Sequence, residues 1–200
     1  MERNEMNRSL SRPSFMRQKD APKDFALVVR AKGSKIHLRT LRATDRGKIR
    51  KVLKDFEAFT PEEISVAVSL VDEALNGSSA YRFLVATDEH DLVLGYICYG
   101  PAPMTSGTWD VYWIAVSRGF QRRHIGSLLL RCAEIEIRTE GGRLIVIETS
   151  SRPSYDSARK FYEKMGYHVS ARIAEFYSEE DDKMIYCKDL ASLRKARWRV

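Results

Sequence analysis

Apolar and polar positions change period several times along the chain, and each change marks an element. Residues 1–33 hold no sustained period and are rich in Ser, Arg, Lys and Pro, which reads as a loosely ordered arm with the fold starting near Ser34. Ile36–Leu41 alternates as a strand, and Ile49, Val52, Leu53 and Phe56 follow at helical spacing behind Thr44 as a cap. Thr60-Pro61-Glu62-Glu63 supplies an N-cap, a first-turn proline and a capping-box glutamate for a second helix, which Asn76-Gly77 stops. Tyr81–Thr87, Leu92–Tyr99 and Trp109–Val116 are strand-like and read as successive antiparallel neighbours. A long amphipathic helix follows, with Ile125, Leu128, Leu129, Cys132, Ala133 and Ile135 on its apolar face and Gly141-Gly142 at its end. The apolar run Leu144–Ile147 suits a buried strand in a parallel pair, joined to the preceding strand by that helix. A short helix at Asp156–Met165, strands at Tyr167–Phe176 and Asp182–Cys187, and an acidic turn between them complete the order β-α-α-β-β-β-α-β-α-β-β. The fold class is mixed α/β (α+β), one domain over 34–190 between the arm and a basic tail at 191–200.

Composition narrows the class. With 200 residues, 44% hydrophobic and 30% charged, the chain buries a core without staples, and no apolar run reaches the ~20 residues of a membrane span. Without a secretory h-region the expected location is cytoplasmic. Cys98, Cys132 and Cys187 are odd in number and widely spaced, and the four histidines are scattered, so free thiols and no metal are expected. The net charge of +7 sits in the ends: nine Lys/Arg against four Asp/Glu in residues 1–35, four against none in 191–200, and 21 against 23 between them. Basic ends read as solvated extensions rather than as nucleic acid-binding arms.

The chemistry concentrates between Trp109 and Leu130, where an apolar strand enters the basic loop Gln121-Arg122-Arg123-His124 and then a helix. Free N–H groups at a helix start, with Arg122 and Arg123 beside them, suit a pyrophosphate. Gln121-Arg122-Arg123-His124-Ile125-Gly126 resembles the Gln/Arg-x-x-Gly-x-Gly/Ala acyl-CoA signature of the GNAT acetyltransferase superfamily. Ala158-Arg159-Lys160-Phe161-Tyr162-Glu163-Lys164-Met165-Gly166-Tyr167 resembles the family's Ala-x-x-x-Tyr-x-x-x-Gly-Phe/Tyr helix, and the likeness extends over about 34–190. His124 departs from the pattern, standing at the family's first glycine, where a positive φ would favour glycine.

The resemblance implies a mostly antiparallel sheet of six to seven strands flanked by about four helices, and an N-acetyltransferase that moves an acetyl group from acetyl-CoA, without metal, to a small-molecule or peptide amine in a ternary complex. It implies that backbone groups of Ile114, Ala115 and Val116 pair with the pantetheine arm and that Gln121, Arg122, Arg123, His124, Ile125, Gly126 and Ser127 cradle the pyrophosphate. Tyr155, where many relatives have asparagine, and Ala158 fall beside the cofactor. Tyr162 takes the place of the family's tyrosine that protonates the departing sulfur. The base is Glu148, whose partial burial would raise its pKa, with Asp110 and Tyr112 on the preceding strand as rivals. The same features would serve an acyl-CoA-binding regulatory module without turnover, and the resemblance allows a homodimer. The first two helices and the hairpin near 176–182 are the expected acceptor walls.

Overall fold

Alternation and helical spacing place the elements where the sequence puts them, with one strand more. The computed structural model describes residues 26–31, 34–56 and 59–190. In order they form β1 (Ala26–Ala31), β2 (Ser34–Thr40), α1 (Asp45–Lys54), α2 (Pro61–Leu75), β3 (Arg82–Thr87), β4 (Val93–Pro101), β5 (Thr108–Val116), α3 (Ile125–Thr139), β6 (Leu144–Ser150), α4 (Asp156–Lys164), β7 (His168–Ser178) and β8 (Asp181–Asp189). Short 3₁₀ turns at Arg118–Phe120 and Pro153–Tyr155 precede α3 and α4. The eight strands lie in the order β1-β2-β3-β4-β5-β6-β8-β7, every pair antiparallel except β5–β6. The mixed, mostly antiparallel fold is as expected, but the count is eight rather than six to seven. β1 lies inside the stretch read as an arm: Leu27-Val28-Val29 is apolar without alternation, and it pairs with β2 at the sheet edge with Leu27 and Val28 exposed. The rest of the proposed arm, residues 1–25, and the tail at 191–200 lie outside the described residues.

Alternate residues of β3 enter opposite cores, as a period of two requires. Phe83 and Val85 join Ile49, Leu53, Ala67 and Val71 under α1 and α2, while Leu84 and Ala86 join the core on the other face, which α3 and α4 cover. On α3 the buried side carries Leu129, Leu130, Cys132, Ala133 and Ile137, whereas Ile135, expected on that face, is 58% exposed. It lies two residues from both Ala133 and Ile137, about 200° around the helix from each. Burial also raises the pKa of the Cys132 thiol, as suits a packing residue.

Thr44 holds the N-cap position of α1 but makes no capping hydrogen bond with its side chain. The next residue takes over. Asp45, fully buried, accepts from the Arg39 guanidinium at 2.6 and 2.8 Å and from the Arg42 N–H at 2.8 Å. Arg39 also reaches Asp91, which Lys48 holds at 2.7 Å, so β2, α1 and the β3–β4 turn are tied through two carboxylates. The Lys48 and Arg39 hydrogen bonds lower the Asp91 pKa to about 2. The α2 capping box forms as read, Glu63 N–H donating to Thr60 Oγ1 and Thr60 N–H to Glu63 Oε2. Asp45→Ala leaves the Arg39 guanidinium buried and short of a partner, and is expected to cost about 3 kcal/mol, read as a lower urea midpoint at unchanged slope.

Candidate active site

β5 and β6 part company halfway along, and the site opens there. Their parallel pairing runs from Thr108↔Leu144 to Val111↔Ile147, yet β5 continues to Val116 and β6 to Ser150. At the same point β5 carries a bulge: Val111 pairs with Tyr99 and Trp113 with Cys98, so Tyr112 is the extra residue. A bulge bends its strand and reverses the facing of the residues beyond it. Trp109 and Val111 pack in the α3–α4 core, but after Tyr112 it is Ile114 and Val116 that do so, while Trp113 and Ala115 turn to the other core.

The main chain of the bent half of β5 is left with an open side. Ser117 N–H bonds Leu94 O on β4, so in the antiparallel alternation Ala115 faces β4 as well, and Ile114 and Val116 face the gap that β6 has left. Of the three strand residues named from sequence, Ile114 and Val116 offer free backbone groups there and Ala115 does not. Val116 O already accepts the Gln121 side-chain amide at 3.3 Å, which folds Gln121 back onto the strand.

The loop beyond it presents a row of N–H groups. Leu128 is the first residue of α3 whose N–H bonds back, to His124 O at 2.9 Å, and among the described residues no acceptor meets the N–H groups of Arg122 through Ser127. His124 holds φ 64° and ψ 7° at the N-cap, and Arg122 holds φ 59°. His124 thus holds a left-handed conformation of the kind that favours glycine. Ile125 anchors the turn in the core, and a Cβ built on Gly126 would meet only Phe161 and Val116 at 3.6–3.7 Å. Arg122 and Arg123 are exposed, Arg123 lying over the Phe120 ring at 5.2 Å. Six free donors, two cations and an open strand edge fit a pyrophosphate bearing an amide-containing arm.

A cleft of about 810 Å³ runs along the gap, lined by Asp110, Tyr112, Ile114, Glu148, Tyr155, Ala158 and Tyr162 among the residues named from sequence. Tyr162 is 7% exposed between Tyr167 and Tyr186, and its hydroxyl has no hydrogen-bond partner among the described residues. Burial, then the neighbouring Tyr186, raises its pKa well above the ordinary phenol value. Asp110 is half-buried, and burial followed by the Glu148 charge raises its pKa against an opposing hydrogen bond from Tyr112. The Tyr112 hydroxyl is itself pushed up to about 12, by burial and then by Asp110. Glu148, expected to be partly buried, is 49% exposed and paired with Lys183 Nζ at 2.7 Å, because the β6 position that carries it faces out of the core. Tyr155 Oη donates to Glu63 Oε1 at 2.9 Å across the cleft, which links the start of α4 to the capping box of α2.

Residues of α2 and of the β7–β8 hairpin line the cleft, whereas no residue of α1, the other helix expected to form an acceptor wall, does so, and the acidic turn is only partly solvated. Glu179 and Glu180 are exposed, but Asp181 and Asp182 are buried: Asp181 takes Ser150 Oγ, Ser151 N–H and Arg152, and Asp182 takes Arg172 and the Glu175 N–H. Phe59, Trp113, Tyr177 and Lys183 carry no distinguishing signal in the sequence. The aromatics lie in runs that serve a core equally well, and the Lys183–Glu148 pair joins two strands by a register that no local pattern shows. Among the described residues no cluster of side chains suits a metal, and no helix is long and apolar enough to cross a membrane.

A known family and solved structures share this fold. The family profile described as an acetyltransferase (GNAT) domain matches residues 79–169. A solved structure of a protein assigned to the GNAT acetyltransferase family, from Desulfovibrio desulfuricans, is 40% identical over 77% of this chain and 98% of its own, with a TM-score of 0.74. An aminoglycoside 6'-N-acetyltransferase complexed with coenzyme A (17% identity, 76% and 96% covered, TM-score 0.61) shares the fold. So does the ribosomal-protein-S18-alanine N-acetyltransferase of Escherichia coli (18%, 78% and 94%, 0.62). No curated protein matches the chain.

The left-handed His124 makes a stability prediction. His124→Gly removes ~1–2 kcal/mol of backbone strain and adds ~0.5–1 kcal/mol of unfolded-state freedom, so it is expected to be neutral or stabilising. His124→Val, β-branched at the same φ, is expected to lose at least about 1 kcal/mol in thermal or urea unfolding.

Proposed function

The chain belongs to the GNAT acetyltransferase family, and from that membership we propose that it transfers an acetyl group from acetyl-CoA to a small-molecule or peptide amine bound in the same cleft. The observation that carries the reading is the free edge of β5 at Ile114 and Val116, continuous with the unpaired N–H row of Arg122–Ser127 and opening on a cleft that Tyr162 and Asp110 both line. Acetyl-CoA supplies an activated thioester. The N–H row, with Arg122 and Arg123, holds its pyrophosphate, and the backbone of Ile114 and Val116 aligns its arm, with Ala158 beside it.

Tyr162 and Asp110 then divide the proton work. With its pKa raised by burial, the Tyr162 hydroxyl stays protonated at neutral pH, and with no partner of its own it is free to donate to the departing sulfur. Asp110 is a carboxylate without a cation partner among the described residues, with a proton affinity raised by burial, and it takes the proton that the attacking amine must lose. Glu148 stands close by but is neutralised by Lys183. No protein nucleophile is needed, so amine and thioester meet directly in a ternary complex.

Thermal unfolding with excess acetyl-CoA comes first, since ligand at ~100 times its Kd adds ~2.7 kcal/mol. A shift without thiol release on any small or peptide amine would leave a binding module rather than an enzyme. Tyr162→Phe is expected to lower kcat by about 10- to 100-fold while the Kd for acetyl-CoA stays within about twofold. Full activity of that variant would remove Tyr162 from the reaction. For the wild type, kcat/KM should climb with pH as Asp110 loses its proton, at a midpoint above that of a free aspartate, and Asp110→Asn should abolish this acidic limb.

A further inference from the structure

Two carboxylates, Asp110 and Glu148, line one cleft on neighbouring strands, and a single side chain on a third strand distinguishes them. Lys183 of β8 places Nζ 2.7 Å from Glu148 Oε2. The Lys183 side chain is only 13% exposed, and its ammonium lies over the Phe176 ring at 3.7 Å and 5.8 Å from that of Tyr177. An ammonium held by a carboxylate and an aromatic face is fixed in place. Asp110 has no such partner among the described residues; it meets the Tyr112 hydroxyl on its own strand and the charge of Glu148 on β6.

We propose that Lys183 is a positioning residue for the transfer reaction, which by binding Glu148 withdraws that carboxylate from proton transfer and leaves Asp110 to receive the amine's proton. The role rests on the acetyl-transfer reading above. Lys183 is not among the residues that line the cleft, and it acts through Glu148. By holding the Glu148 carboxylate at β8, its ammonium also keeps that charge from turning toward Asp110, where it would hold a proton at the pH at which the base must be free. The other charged groups along the cleft are Glu62 and Glu63 on α2 and the Arg152–Asp181 pair by the hairpin, with the Tyr155 and Tyr177 hydroxyls between them. Arg152 is committed to Asp181 at 2.9 Å, so of the basic side chains near this pair Lys183 alone answers Glu148.

The test is an NMR titration of carboxyl-¹³C aspartate in the full chain, with the Asp110 signal assigned by its loss in Asp110→Asn. Lys183→Met should move the Asp110 midpoint to higher pH, Glu148→Gln should move it lower, and Lys183→Arg should leave it near wild type. In a Glu148→Gln background Lys183→Met should have a clearly smaller effect, because only the ammonium's own field at Asp110 is then lost. An unmoved midpoint in Lys183→Met, or an equal shift with and without Glu148, would overturn the proposal. Lys183→Gln serves should the methionine variant fold poorly. The titration needs neither an acceptor nor turnover, so its outcome is separate from the success or failure of the acetyl-transfer reading.

Discussion

A strand that leaves its neighbour must find other partners for its N–H and C=O groups, and the site grows from the place where β5 does so. Tyr112 is inserted as a bulge, β5 bends, and β6 stops following it after Ile147. Inside a sheet such unmet groups would be costly. At this edge they face the gap that β6 leaves, and the same turn of chain that ends the strand presents the unpaired start of α3 next to it. The left-handed backbone at Arg122 and His124 is part of that arrangement, since it points successive N–H groups out of the loop. The N–H row and the strand edge are thus one continuous feature, built by residues 108–128.

The walls of the cleft are held by polar ties rather than by core packing alone. Tyr155 bonds the capping-box glutamate of α2, and Asp181 and Asp182 stitch the β7–β8 hairpin to the end of β6. Behind Tyr162, buried Glu134 on α3 receives Lys188 Nζ at 2.9 Å through both oxygens and the Tyr167 hydroxyl at 3.0 Å, while Lys188 also donates to Met165 O at the end of α4. These contacts set the position of α4, and with it the tyrosine that faces the cleft. Each burial of charge is matched by hydrogen bonds, the condition under which such pairs survive away from water.

Local signals in the sequence suffice for most elements. The capping box, the Gly141-Gly142 stop and the switch from alternating to helical spacing before Ile125 each depend on residues a few positions apart, and each appears where the pattern puts it. Non-local features are hidden. β1 gives no alternation because it is an edge strand, Ile135 looks like a core residue only because its neighbours are, and the Tyr112 bulge lies inside a stretch that reads as one uninterrupted strand. Glu148 is legible as a candidate but its pairing is not, since Lys183 comes 35 residues later and meets it only through strand register. His124 shows the reverse: the motif marks it as a departure, and the backbone accommodates it.

The two halves of the cleft have different histories in the chain. The N–H row and the open edge of β5 come from one short contiguous stretch, whereas the opposite wall is assembled from α2 and from the β7–β8 hairpin, more than 100 residues apart in sequence. Substitutions, insertions or a changed hairpin length on that wall leave every group of residues 121–127 untouched. On the acetyl-transfer reading, selection can therefore retune the proposed acceptor wall while the stretch proposed to hold the donor is inherited intact, which makes the lining of α2 and the hairpin the place where relatives that handle different amines should diverge first.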